Sequence, residues 1–146
     1  MSISARDADD YAAQLLVLTE RLTERLTGEA EALEAHRPLD IRDSVEETRS
    51  LSALYRQESA RLKADPARLQ GLSPAHKDSL RRATEVFVAI SERHARAVEA
   101  AKTISEGLMK AVADTLNENR KPSLTYGPGA AVTDRAPQSL NYGFKA

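Results

Sequence analysis

The sequence predicts an all-α protein: an elongated antiparallel three-helix bundle whose long third helix overhangs its companions, followed by a flexible C-terminal tail. Three observations carry this. The 146 residues amount to about one domain's worth of chain, so two separate cores are not expected. Aromatic residues make up 4%, there is no Trp, and six Gly and six Pro are few turn-formers, so the usual materials of a β-sandwich or barrel are scarce. Apolar residues also recur at three- and four-residue spacing over long stretches that no proline interrupts.

A first helix is predicted over residues 7–36. Tyr11, Leu15, Leu18, Leu22, Leu26, Ala30 and Leu33 keep helical spacing, and Asp7, Asp9 and Asp10 stand in its first turn. Within it Leu18-Thr19-Glu20-Arg21 is followed by Leu22-Thr23-Glu24-Arg25. A repeat of four drifts by only about 40° per step, so Leu18, Leu22 and Leu26 share one stripe. Arg37-Pro38 ends the pattern. Asp40 is then placed to cap a second helix over residues 41–64, with a thinner stripe of Ile41, Val45, Leu51, Leu54 or Tyr55, and Leu62. Pro66 and Gly71 stop that helix, and Ser73-Pro74 reads as an N-cap with proline in the first helical position.

The third helix is predicted from Pro74 to about Asn119, with Leu80, Phe87, Ile90, His94, Val98, Ala101, Ile104, Leu108, Val112 and Leu116 in register. It would be roughly 65 Å long at 1.5 Å per residue. Short connections force an up, down, up course. A second helix of about two dozen residues cannot cover such a rod, so the segment from Glu99 to Asn119 is expected to project with Ile104, Leu108, Met109, Val112 and Leu116 uncovered. Gly107 in that segment costs about 1 kcal/mol relative to alanine, while it permits close backbone approach. These six residues, 104, 107, 108, 109, 112 and 116, form the candidate binding face for a partner helix.

Residues 1–118 are thus read as a helical domain and 119–146 as a tail interrupted by Pro122, Gly127, Pro128, Gly129, Pro137 and Gly143. The tail holds Tyr126, Tyr142 and Phe144, half of the six aromatic residues. Ser123-Leu124-Thr125-Tyr126-Gly127 returns as Ser139-Leu140-Asn141-Tyr142-Gly143, which suggests a contact with a receptor.

Composition bounds the chemistry. Twenty-one Lys and Arg against 22 Asp and Glu leave a net charge of −1, which supplies no field for a polyanion, so nucleic acid is not an expected partner. The absence of cysteine removes thiol chemistry and suits a reducing compartment. An acidic N-terminus and the short apolar run at residues 15–18 fit neither a signal peptide nor a membrane span, so a cytoplasmic location without membrane insertion is expected. His36, His76 and His94 are spread along the bundle, and no helical metal motif, phosphate loop or nucleophile elbow occurs. The expectation is a non-enzymatic chain without catalytic residues, metal or cofactor.

The pattern Leu22, Leu26, Glu29, Ala30 and Leu33, a very long third helix, and a tail opening Lys121-Pro122-Ser123-Leu124-Thr125-Tyr126-Gly127-Pro128-Gly129 resemble the FlgN family of flagellar export chaperones. The resemblance implies a cytosolic chaperone of the flagellar type III export system. Its clients would be hook-associated, hook-filament junction proteins held on the C-terminal half of the third helix. It further implies docking to the cytosolic domain of the export gate through Leu124, Tyr126 and Gly127, with Tyr142 in the second copy of the motif. A monomer is the favoured state. The alternative is a homodimeric helical coiled-coil scaffold or adaptor with the overhang as its seam.

Overall fold

The computed structural model describes residues 2–120, which form three α-helices and no strand: α1 (Ala8–Glu34), α2 (Val45–Ala64) and α3 (Pro74–Arg120). Single 3₁₀ turns, Pro38–Ile41 and Pro66–Leu69, lie in the two connections. The all-α class therefore holds.

Each boundary has a local cause. The Asp7 carboxylate accepts the Asp10 backbone N–H at 2.8 Å, and Asp9 and Asp10 face the positive end of α1. At the other end His36 takes a left-handed conformation (φ 58°), which lets the Arg37 N–H donate to the Ala32 carbonyl at 2.8 Å and the His36 N–H to that of Leu33 at 3.0 Å. This closes the helix as a glycine would in the same motif.

The sequence places the start of the second helix at Ile41 under an Asp40 cap, but Pro38 instead begins a 3₁₀ turn that takes in both residues, and α2 starts at Val45. Ser44 makes no capping bond; its hydroxyl lies 3.1 Å from Glu29 Oε1 and 3.0 Å from the Ile41 carbonyl. Gly71, with φ of 82°, turns the chain before Ser73 and Pro74, where α3 begins as expected.

Paired residues give the directions. Tyr11 meets Glu58 while Arg21 and Arg25 meet Glu47, so α1 and α2 are antiparallel. Asp9 meets Ser73 and Glu34 meets Arg93, so α1 and α3 run parallel.

The helices are not equivalent layers. α1 is the hub: Tyr11, Leu15, Leu18, Leu22, Leu26, Ala30 and Leu33, the predicted stripe, are all buried, and so are Ala12, Thr19, Glu29 and Ala32 beside it. The buried residues of α2 are Thr48 and Glu58, and that of α3 is Ala97. The tandem Leu-Thr-Glu-Arg segments explain how α1 serves two neighbours. Thr19, Thr23 and Thr27 each donate their hydroxyl to the carbonyl four residues back, at 2.8, 2.7 and 2.8 Å, so a threonine can enter the interior needing no outside partner. Between α2 and α3 the link is aromatic, Tyr55 on Phe87 with ring centroids 4.5 Å apart.

A fully buried carboxylate ties the amino-terminal segment down. Glu58 accepts from the Tyr11 hydroxyl, the Ile3 backbone N–H and Arg61, each at 3.1 Å.

Because Leu22 is 1% exposed on the hub helix and Leu116 is 58% exposed, the two should differ widely in their response to truncation. Leu22→Ala is expected to lower unfolding free energy by about 2–5 kcal/mol, and Leu116→Ala by no more than about 0.5 kcal/mol. Urea denaturation followed by circular dichroism measures both.

Candidate functional site: the projecting end of the third helix

The site is generated by a mismatch of length. α3 packs through His76, Leu80, Ala83, Phe87, Ile90, His94, Ala97 and Ala101, an alternation of four- and three-residue steps whose members are all partly or fully buried. The last two are alanines, which let α3 approach Ala30, Leu33 and Ile41 closely. There α1 ends. Every residue from 102 to 120 is exposed, roughly 28 Å of helix at 1.5 Å per residue. The sequence expects the overhang to begin at Glu99; it begins three residues later because Ala101 still belongs to the packed cluster.

On this segment lie Ile104, Leu108, Met109, Val112 and Leu116, with Leu108 and Met109 the most open at 66% and 69% exposure. At 100° per residue the five span an arc of roughly 140°. No charged residue falls within it. Lys102, Glu106, Lys110, Asp114, Glu118 and Arg120 occupy the remaining circumference, with Lys102 Nζ 3.9 Å from Glu106 Oε1. The arc also prolongs the packed seam, since Ala97, Ala101, Ile104 and Leu108 continue the same steps. A helix laid on it would lie end to end with α1. Leu39, 80% exposed, sits in the connection that closes that end of α1.

Gly107 borders the arc beside Ile104. A Cβ placed there would have no heavy-atom neighbour within 4 Å, so the isolated chain has no steric need for glycine at this position. Leu124, Tyr126, Gly127 and Tyr142 lie outside the described residues. α3 itself continues through Arg120, past the expected domain boundary at residue 118.

Three polar contacts hold α3 in register with α1 and so set how far it projects. Asp9 Oδ1 accepts the Ser73 N–H at 3.0 Å and lies 3.1 Å from His76 Nδ1; the Ser73 bond, more than the imidazole, holds its carboxyl below the usual range. Arg93 grips Glu34 through Nε at 2.9 Å and Nη2 at 2.5 Å, lowering the Glu34 carboxyl and raising the guanidinium. Between them, buried Glu29 faces His94 Nε2 at 3.0 Å and accepts from Thr48 at 2.6 Å. Burial, reinforced by the Glu58 hydrogen bond, raises the Tyr11 phenol. Sequence reasoning does not find Glu29 and Glu58 as interior groups. The signal available for Glu29 is its place in an apolar period, three residues after Leu26 and four before Leu33.

Among the described residues no group of three or more His, Asp or Glu is arranged to hold a metal ion. None of their helices is long and apolar enough to cross a membrane. The geometry thus defines a helical bundle whose third helix carries an apolar face left exposed among the described residues.

The flagellar basal-body protein FlbY of Caulobacter vibrioides is 45% identical to the chain over 136 residues, covering 92% of this chain and 91% of that protein. The chain belongs to the family of this flagellar protein. No protein-family model matches the sequence, FlgN included, and no solved structure matches the chain.

The lowered carboxyls of Asp9 and Glu34 fix a sign. Their stabilisation is present above their unfolded values, near pH 4, and is lost as pH falls through their folded values. The melting temperature is therefore expected to drop between about pH 5 and pH 3, and less steeply in an Asp9→Asn, Glu34→Gln double variant, read by thermal circular dichroism across that range.

Proposed function

We propose that this chain is a non-catalytic escort for flagellar export clients, of the kind found in the FlgN family, acting in the cytoplasm. The observation that carries the reading is the uncharged arc on residues 102–120, placed in line with α1 and uncovered by the described chain. Burying each of its large side chains against a client helix would contribute about 1.5–3 kcal/mol. Unbranched Met109 adapts to varied client surfaces, and the open space at Gly107 admits a close backbone. The clients expected are hook-associated proteins, whose terminal amphipathic segments would be kept from self-association until export. Release to the export gate would use the tail, with Leu124, Tyr126 and Gly127 as the docking residues and Tyr142 as a second contact.

A second copy of the chain suits the arc less well than a client. In a parallel pair each partner's α3 would run through the space that α1 occupies, since the arc and the packed seam share one face. In an antiparallel pair Lys102 of one copy would come close to Arg120 of the other, because both lie on the same edge of the arc at its two ends. The escort is accordingly a monomer before it meets its client, which light scattering at micromolar concentration checks; a tight dimer would favour the scaffold reading.

Leu108→Asp with Val112→Asp is expected to abolish capture of hook-associated proteins from a flagellated cell while leaving the thermal melt of the bundle unchanged. Tyr126→Ala should keep client capture and weaken binding to the purified cytosolic domain of the export gate by about ten-fold or more. Persistent capture by the double Asp variant, with the bundle intact, would remove the arc from the function.

A further inference from the structure

Away from the projection, α2 and α3 part on one side of α1 and leave a groove of about 640 Å³. We propose that it docks a short acidic amphipathic segment of a partner protein. The floor is apolar: Leu15 from α1, Tyr55 and Leu62 from α2, and Leu80 from α3. Arg56 and Lys63 stand on its α2 rim, both exposed, and no acidic side chain lines it.

The charge pattern identifies the occupant. Arg56 and Lys63 make no ion pair among the described residues. Two uncompensated cations beside an apolar floor match a ligand that combines apolar side chains with carboxylates. The chain's own tail is a poor candidate, since residues 121–146 carry Lys121, Arg135 and Lys145 against Asp134 alone. The rim from Tyr55 to Lys63 measures roughly 12 Å, room for about two turns of helix. The segment therefore inserts one or two large apolar side chains and sets its acids against the α2 edge.

The groove shares no residue with the client arc, so a partner could be held while a client is aboard. The test uses the full-length chain and two fluorescent peptides of about twelve residues. One has Leu and Phe at helical spacing among Glu and Asp, and the other has Lys at every acidic position. Anisotropy is expected to show the acidic peptide binding at least about ten-fold tighter than the basic one. Arg56→Glu with Lys63→Glu should reverse that order without changing the melt, and Leu108→Asp should leave it untouched.

Equal binding of the two peptides overturns the proposal, as does an unchanged order in the charge-reversed variant. Loss of binding in Leu108→Asp would also overturn it by moving the peptide to the client arc. A dimer in light scattering that the charge-reversed variant dissolves would assign the groove to a second copy. Binding to phosphatidylglycerol vesicles without a peptide preference would assign it to a lipid surface.

Discussion

The molecule's architecture depends on α1 being apolar on two sides and shorter than the helix it accompanies. One helix buries the Leu18, Leu22 and Leu26 stripe and the threonine and alanine positions beside it, so α2 and α3 can each rest on α1 and scarcely on each other. The bare end of α3 and the groove both follow from this arrangement. Where α1 stops, α3 is left bare, and where α2 and α3 diverge across α1, a groove opens. They are what remains when unequal rods share one companion.

The polar contacts have a complementary role. Hydrophobic packing between smooth helical faces does not by itself prevent sliding by one turn, because a step of three or four residues restores a similar pattern. Asp9 on Ser73, Glu29 on His94 and Glu34 on Arg93 act at three levels along the α1–α3 seam. Buried Glu29 and Glu58 are costly groups to bring into an interior, and each is met by several donors. These contacts select one register, and the register determines how much of α3 is left to project.

Much of this was legible in the residues and some was not, for identifiable reasons. The Leu15–Leu33 period, the Ser73-Pro74 start and the long uninterrupted run of α3 are statements about single helices, and periodicity and capping chemistry report on single helices directly. The placement of Asp40 and Ile41 in a 3₁₀ turn depends on how Pro38 is followed, which a cap rule does not resolve. The central position of α1 was hidden for a different reason. A threonine that satisfies its own hydroxyl within the helix looks polar in sequence and behaves as a small interior residue in the fold. Glu58, surrounded in sequence by Arg56, Gln57 and Arg61, carries no local mark of burial, because its partners Tyr11 and Ile3 come from a distant part of the chain.

The close of α1 at His36 has a consequence for how such a molecule could be tuned. It acts as a ruler. Extending α1 by one heptad before that stop would sheath two more turns of α3 and leave both seams in phase, while shortening it by the same amount would bare two more. The size of the open face is thus governed by a single length variable in a helix that does not itself contribute to that face. Insertions and deletions in α1 alone would therefore reset how much of α3 stands bare, with residues 104–116 themselves unaltered.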